Sequence, residues 1–308
     1  MSRFGWSRHD LAMLAVSLIW GANFSANKYA LSAFGPLAFA ATRFLIASAL
    51  LWALVKWLAP GDPLPARAAW LLAGLGVIGN TGYQAFFMKG LVATTAINAS
   101  LILAAMPIGV AVLSTLLGVE RPGPRLWAGI AVATVGVGVV IVAQGISFSK
   151  ATLGGDLMIL LACVCWAAFT VGIRHVGRGL DPLRVTAIST IGGTPGLVLA
   201  ALPEVSRTDW AHLPAGVVVA LLYSSVLSLV VAYYLWSHAV QAIGGSRTAL
   251  YNCVVPVFAA SVAWVVLGER PLPAQLAGAA LVFAGVFLSQ GGRSAPAPAA
   301  RPPVSPEP

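Results

Sequence analysis

Residues 106–129 read MPIGVAVLSTLLGVERPGPRLWAG, and residues 255–278 read VPVFAASVAWVVLGERPLPAQLAG. The Glu-Arg-Pro turn at 120–122 returns at 269–271, at a constant spacing of 149 residues. The same spacing relates further prolines and glycines, which are Pro107 and Pro256, Pro124 and Pro273, Gly129 and Gly278, and Gly136 and Gly285. A fixed spacing over so long a stretch indicates an internal duplication.

Upstream of this stretch the duplication continues at a spacing of 146 residues. The residue pairs are Asp10 and Asp156, Leu14 and Leu160, Trp20 and Trp166, Lys28 and Arg174, Pro36 and Pro182, and Leu37 and Leu183. The change of spacing indicates one three-residue insertion in the second copy. We therefore predict two homologous halves, residues 10–144 and 156–290, joined by a linker at 145–155.

The composition indicates that most of the surface of this chain faces lipid rather than water. Of its 308 residues, 59% are hydrophobic and only 9% are charged, and the mean hydropathy is +0.88. Soluble domains carry about 25% charged residues. The composition excludes a soluble enzyme, a secreted disulfide scaffold and a nucleic-acid-binding protein, and it predicts an all-α membrane protein in contact with the bilayer.

Apolar stretches long enough to cross a bilayer number ten in the sequence. A hydrocarbon core of about 30 Å requires about 20 residues of helix. The predicted spans are 10–29, 36–58, 67–88, 93–117, 125–144, 156–173, 182–203, 213–238, 248–267 and 273–290. Because each half has five spans, an odd number, the second half enters the membrane from the opposite side. We predict two inverted five-helix repeats, an arrangement typical of transporters.

The distribution of basic residues predicts the orientation. With a cytoplasmic N-terminus at residues 1–9, the inside segments contain twelve cations, which are Arg3, Arg8, Lys56, Arg67, Arg121, Arg125, Arg174, Arg178, Arg184, Arg247, Arg293 and Arg301. The outside segments contain five, which are Lys28, Lys89, Lys150, Arg207 and Arg270. This bias follows the positive-inside rule and explains much of the net charge of +9 without a nucleic-acid partner. The Pro- and Ala-rich tail at 291–308 is predicted to be cytoplasmic and disordered.

Several of these motifs resemble a known family. Trp20-Gly21-Ala22-Asn23-Phe24 followed by Lys28, then Thr42-Arg43-Phe44, Pro107 and the two Glu-Arg-Pro turns are similar to the EamA branch of the drug/metabolite transporter superfamily. The aromatic density of the central spans most resembles the YddG-type exporters of aromatic amino acids. The resemblance implies ten helices, a central cavity lined by spans 1, 3, 4, 6, 8 and 9, and efflux across the bacterial inner membrane.

Polar and aromatic side chains that recur at helical spacing mark the faces that turn away from lipid. The candidate substrate-binding residues are Trp20, Asn23, Asn80, Tyr83, Phe87, Asn98, Trp166, Phe169, Ser228, Trp236, Tyr251 and Asn252. The alternative is that the polar side chains join neighbouring helices and that the aromatic rings are packing or interface residues. Trp20 and Trp166 are related by the repeat and lie near mid-membrane rather than at a headgroup belt, so both the cavity and the packing interpretations stay open for them.

Arg43 is the one clearly intramembrane charge in the sequence. It has two interpretations, a contact with a substrate carboxylate or a structural bond to helix-end carbonyl groups. Every Asp and Glu lies at a helix end, in a loop or in the tail. Proton-driven antiporters commonly carry a carboxylate at mid-depth. Its absence favours facilitated diffusion or another kind of coupling residue.

Catalytic motifs are absent from the sequence, and we expect no enzyme activity, cofactor or metal. The GxGxxG match at 74–79 lies inside an apolar span, where it indicates close helix packing. No Walker motif occurs, so no ATPase function is expected. The leading hypothesis is an exporter of amino acids, aromatic ones included, that works by alternating access. The alternatives are the same fold with a drug-like cation or another metabolite as cargo, and a membrane-embedded enzyme or channel.

Overall fold

The computed structural model describes residues 7–61, 64–94, 96–142, 151–267, 272–290 and 295–296, which are almost entirely helical. The α-helices of the first half are α1 (Arg8–Ala30), α2 (Pro36–Leu58), α3 (Ala66–Gly76), α4 (Tyr83–Ala93), α5 (Ala96–Ala104), α6 (Met106–Leu116) and α7 (Pro124–Val142). Those of the second half are α8 (Leu153–Val176), α9 (Pro182–Val205), α10 (Ala215–Tyr223), α11 (Ala232–Ile243), α12 (Gly245–Leu250), α13 (Val255–Leu267) and α14 (Pro273–Ser289).

Turn chemistry sets where these helices begin. Proline occupies the first position of α2, α9 and α14, where its missing N–H leaves no hydrogen bond unmade. The Asp181 side chain caps α9 by accepting from the backbone N–H of Arg184 at 3.0 Å. At the start of α1, Ser7 and Asp10 form a reciprocal capping box. The prolines that repeat in the sequence therefore also define the repeat in the structure.

Irregular segments occur at matching places in the two halves. A π-helix at Val77–Gly82 joins α3 to α4, and another at Ser224–Val231 joins α10 to α11. The break between α5 and α6 likewise corresponds to the 3₁₀ turn at Tyr251–Val254 between α12 and α13. Pro107 and Pro256 follow these breaks, and proline cannot donate the hydrogen bond that would continue a helix. The duplication thus includes the π-helices and the helix breaks as well as the regular helices.

Within the described residues, five helical segments are long and apolar enough to cross a membrane by length and composition. They are Pro36–Leu58, Pro124–Val142, Leu153–Val176, Pro182–Val205 and Ala215–Ile243, and Met106–Leu116 and Pro273–Ser289 are shorter apolar helices. The ten predicted spans are therefore not confirmed as ten long apolar helices. Breaks divide the spans predicted at 93–117 and 248–267. Helix α1 carries Asp10, Asn23, Asn27 and Lys28, which lower its hydropathy.

The two halves pack against each other through corresponding helices. Helix α7 lies against α14 and α2 against α9, while α1 contacts α10, α11 and α13. A Cβ atom on Gly136 would lie 2.7 Å from the carbonyl oxygen of Gly278. This close approach of α7 and α14 requires glycine on both helices. The first helix of each half, α1 or α8, packs mainly on helices of the other half. The centre of the molecule is therefore built from both halves.

The linker and the tail lie mostly outside the described residues. Residues 143–150 and 268–271 are among those not described, and so is most of the tail predicted to be disordered at 291–308. Ala295–Pro296 is described, and it forms a two-residue antiparallel pair with Glu120–Arg121. These are the only strands in the described part of the chain.

Candidate functional site

A cavity opens between the two halves near the middle of the helices. Its volume is about 140 Å³. Its aromatic lining consists of Trp20, Phe24, Tyr83, Phe87, Trp166 and Tyr233. Its polar lining consists of Asn23, Asn27, Arg43, Gln84, Ser228 and Asn252. Both π-helical segments border this space, since Tyr83 directly follows the first and Ser228 lies in the second.

Trp20 and Trp166 lie at the centre of an aromatic cluster. Their rings meet edge to face with centroids 5.9 Å apart, and Tyr233 lies 6.1 Å from Trp20 and 5.6 Å from Trp166. Trp236 packs behind both tryptophans at 5.3 and 5.4 Å. The Trp20 indole nitrogen donates to the carbonyl oxygen of Ser228 at 3.1 Å, which fixes the ring. The cluster presents rigid aromatic surfaces to the cavity.

Helix α4 adds a second aromatic surface. Tyr83 and Phe87 stack nearly parallel, with an interplanar angle of 6° and centroids 5.5 Å apart. They lie four residues apart on the helix, the spacing at which side chains share a face. Tyr83 also reaches Trp166 at 5.2 Å, so the aromatic surfaces of the two halves are continuous.

Arg43 is buried in the cavity wall, with 3% of its surface exposed. One guanidinium nitrogen donates to Gln84 Oε1 at 3.0 Å, and the guanidinium lies over the rings of Phe39 and Phe44 at 5.4 and 5.8 Å. Its Nε atom is buried without a hydrogen-bond partner among the described residues. No carboxylate pairs with Arg43 in the described part of the chain, where the ion pairs involve other cations.

Amide side chains complete the polar lining. The Ser224 hydroxyl is within hydrogen-bond distance of Asn23 Oδ1 at 2.6 Å and of Asn27 Oδ1 at 3.0 Å. Asn252 Nδ2 lies 3.3 Å from the Met106 sulfur, which is a weak acceptor. These amides supply neutral donors and acceptors, and the described lining contains no Asp or Glu.

The structure brings eight of the sequence-predicted side chains to the cavity, which are Trp20, Asn23, Arg43, Tyr83, Phe87, Trp166, Ser228 and Asn252. The others have different surroundings. Asn80 donates to the carbonyl oxygen of Ser189 at 3.0 Å, and Asn98 Nδ2 lies 3.3 Å from Asp156 Oδ1. The Tyr251 hydroxyl donates to Asp10 at 2.6 Å. Trp236 and Phe169 pack around Trp166 and are almost fully buried.

Gln84, Tyr233 and Phe24 line the cavity but were absent from the predicted set. Gln84 lies four residues after Asn80, and an amide side chain inside an apolar span could have identified it as a lining residue from the sequence. Tyr233 was obscured by the π-helix at Ser224–Val231, which changes the face presented by the residues after it. The neighbouring Tyr234 is 37% exposed and lies outside the described lining.

One end of the molecule carries a set of buried ionic contacts, which we call the end cluster and define as Asp10, Arg247, Tyr251, Glu120 and Arg174. Asp10 is fully buried and pairs with Arg247 at 2.8 Å. Glu120 pairs with Arg174 at 3.2 Å and accepts the backbone N–H at the start of α12 at 2.6 Å. These contacts tie the ends of α1, α8 and α12 together.

Gly244 is required where the chain passes Glu120. Its φ is +94°, in the region that disfavours side chains, and an added Cβ would lie 2.8 Å from Glu120 Oε1. The carboxylate therefore approaches the start of α12 closely only because this position lacks a side chain.

Metal binding finds no support in the described residues, which contain no group of three His, Cys, Asp or Glu side chains that could hold an ion. The cysteines Cys163, Cys165 and Cys253 are free.

Comparison with solved structures supports the overall arrangement. A crystal structure of a protein matches with a TM-score of 0.77 over 92% of this chain and 98% of its own length. At 20% sequence identity, this similarity shows the fold alone.

Three curated relatives match nearly their full length. An uncharacterized transporter of Archaeoglobus fulgidus is 33% identical over 92% of this chain and 97% of its own. A probable terminal-alkyne amino-acid exporter of Streptantibioticus cattleyicolor is 29% identical, covering 90% and 91%. A probable amino-acid metabolite efflux pump of Salmonella typhimurium is 28% identical, covering 92% and 95%.

The family assignment rests on a match to both halves. The model of the EamA-like transporter family matches residues 7–142 and again residues 153–290, so each half is one copy of the family domain. The chain belongs to the EamA-like transporter family, within the drug/metabolite transporter superfamily, and is a membrane-embedded transporter.

Proposed function

We propose that the chain exports amino acids, aromatic ones included, across the bacterial plasma membrane by alternating access around the central cavity. The cavity lining carries this proposal. Aromatic rings of Trp20, Tyr83 and Trp166 face a space that also contains amides and one guanidinium. Two relatives named as an amino-acid exporter and an amino-acid metabolite efflux pump support the cargo class.

In the proposed binding mode, the side chain of the amino acid stacks on the aromatic cluster. Edge-to-face and offset-stacked ring pairs contribute about 0.5–1.5 kcal/mol beyond the burial of their surface. Asn23, Ser228 and Asn252 offer polar contacts to the rest of the molecule. Asn80, Asn98, Phe169, Trp236 and Tyr251 act behind the lining, where they hold the wall helices in place.

The proposed mechanism also requires the predicted topology. In it the chain crosses the membrane ten times, the two halves are inverted repeats, and both termini are cytoplasmic. The end cluster then closes the cytoplasmic side, and it opens when the halves rock against each other. The matching positions of the π-helices and helix breaks in the two halves support this mechanism, because similar halves give two similar ways to open.

Counterflow in proteoliposomes tests the proposal. Vesicles containing the purified full chain are loaded with unlabelled phenylalanine and diluted into labelled phenylalanine, with protein-free vesicles as the control. We expect transient accumulation of label, and competition by tryptophan and tyrosine. No accumulation of any amino acid, together with exchange of drug-like cations, would exclude amino acids as the cargo. It would favour the alternative that the same fold transports drug-like cations.

A further inference from the structure

The buried Arg43 side chain has a surplus of donors. A guanidinium has five N–H groups, and the described residues provide one side-chain acceptor, Gln84 Oε1 at 3.0 Å. The Nε atom is buried with no partner among them. Leaving a buried charged donor unpaired is unfavourable. An acceptor that arrives with a ligand would satisfy it.

The charge balance of the cavity identifies the chemistry of that acceptor. Arg43 is the one charged side chain in the described lining, so the cavity carries a net positive charge. A cation is repelled by this charge. A carboxylate matches a guanidinium in shape and can accept two parallel hydrogen bonds from it.

The two halves carry different residues at the position of Arg43, so the charge lies on one side of the cavity only. At the 146-residue spacing that relates α2 to α9, Arg43 corresponds to Ser189. The Ser189 hydroxyl donates within its own helix, to the Val185 carbonyl oxygen at 2.8 Å. The second half thus offers no counterpart of the charge, and an anionic group is held only at the α2 side.

A positive ligand group has weaker partners in the cavity. The described lining offers it the amide oxygens of Asn23 and Asn27, which share the single hydroxyl donor of Ser224, and the faces of aromatic rings. Cation–π attraction at such rings is modest compared with a buried charge pair. The carboxylate contact therefore outweighs the ammonium contact.

We infer that Arg43 is a carboxylate-binding residue and that the cavity selects aromatic monocarboxylates, with the α-ammonium group dispensable. This inference rests on the proposed function for its site but goes beyond amino acids as cargo. Aromatic acids that lack the amino group bind with an affinity similar to that of the amino acids. Aromatic amines that lack the carboxylate do not bind.

Three probes of one carbon skeleton separate these contributions. L-Phenylalanine carries both charges, 3-phenylpropanoate only the carboxylate, and 2-phenylethylamine only the ammonium. Binding to the purified full chain is measured by calorimetry. We expect the two carboxylates to bind within about fivefold of each other and the amine at least about tenfold more weakly, which is the scale of a charged hydrogen bond.

Two variants attribute the selectivity to Arg43. Arg43→Gln is expected to weaken both carboxylates about 10- to 100-fold, whereas Arg43→Lys retains part of the affinity. Gln84→Glu places a carboxylate within reach of Arg43 at nearly unchanged volume. It should abolish binding of 3-phenylpropanoate and increase the affinity for the amine. Arg67→Gln, at an exposed arginine of α3, is the matched control and should change nothing.

The outcomes separate this inference from the proposed function. Arg43-dependent binding of 3-phenylpropanoate supports the inference even when no amino acid undergoes counterflow. Equal binding of the amine and the acids overturns it even when amino acids are transported, and so does failure of both carboxylates to bind the wild-type chain. If Arg43→Gln does not fold, Gln84→Glu still decides, because unchanged selectivity in that variant overturns the inference.

Discussion

Trp20 and Trp166 occupy corresponding positions in the two halves but have different surroundings. Trp20 is half-buried and held by its hydrogen bond to Ser228, whereas Trp166 is 4% exposed and contacts rings on every side, including Tyr83 and Trp236. The same substitution therefore affects different properties at the two positions. Trp20 presents the ring more available to a ligand, and Trp166 contributes more to packing.

Trp20→Ala is expected to weaken transport of phenylalanine by about two- to thirtyfold, because the ring can stack on the bound side chain or lie over its ammonium group, and a cation–π contact contributes about 0.5–2 kcal/mol. Trp166→Ala should in addition lower stability by about 3–5 kcal/mol, as expected for a buried aromatic ring. Melting temperature and transport per folded molecule are measured together. A stable Trp20→Ala chain with unchanged transport would remove Trp20 from the binding site.

The Asp10–Arg247 pair permits a prediction about stability. Both partners are shielded from solvent, and removing one leaves the other buried without its counter-charge. Asp10→Asn should destabilise the chain by about 3–5 kcal/mol, with a smaller loss when Arg247→Met is added. The exposed pair Asp209 and His212 is the control, and Asp209→Asn should change stability by less than about 0.5 kcal/mol. Additive losses at Asp10 and Arg247 would contradict the coupling.

At the scale of elements, α7 and α14 approach each other through glycine. Gly136 faces the Gly278 carbonyl oxygen, whereas Gly138, two residues further along α7, has no neighbour within 4 Å of an added Cβ. Alanine substitutions at Gly136 and Gly138 therefore distinguish the effect of helix propensity from the effect of helix–helix packing on stability.

Gly136→Ala should destabilise the chain by at least about 1–3 kcal/mol, because the methyl group would force the helices apart. Gly138→Ala should be neutral or stabilising by up to about 1 kcal/mol, since alanine favours the helix more than glycine does. Unfolding of both purified variants is followed by circular dichroism. Equal stability of the two would show that the α7–α14 contact is looser than the structure indicates.

The sequence predicted uninterrupted helices well and interrupted ones poorly. The span at 36–58 coincides with α2, and the span at 182–203 differs from α9 only at its end. The π-helix at Val77–Gly82 was not predicted, because its backbone hydrogen bonds change while the hydropathy stays the same. In this segment Gly79 lies directly against Phe169 of α8, a contact between distant parts of the chain that the hydropathy pattern does not reveal.

The same limit applies to the candidate site. Trp20, Tyr83 and Trp166 were found from aromatic character and symmetry. Tyr233 was missed because the π-helix before it changes the helix face. Asn98 has the helical spacing of a lining residue, but its contact with Asp156 depends on helix packing that the sequence does not specify.

At the scale of the whole molecule, the odd number of spans predicted for each half makes the topology testable. A reporter fused after Arg293 should indicate the cytoplasm, and one inserted near Lys150 should indicate the outside. Both positions lie outside the described residues, so this prediction comes from the predicted span count and the charge bias of the sequence. A cytoplasmic signal at both positions would exclude inverted halves.

Alternating access to the cavity is the central claim, and cysteine accessibility tests it most directly. Cys163, Cys165 and Cys253 are replaced by alanine, and a single cysteine is introduced as Asn252→Cys in the cavity wall. A membrane-impermeant thiol reagent is applied to sealed proteoliposomes from one side at a time, with Val135→Cys, at a position 60% exposed on the lipid-facing surface of α7, as the control. We predict labelling of Asn252→Cys from both sides, slowed by phenylalanine, and no labelling of the control. Labelling from one side only would contradict alternating access.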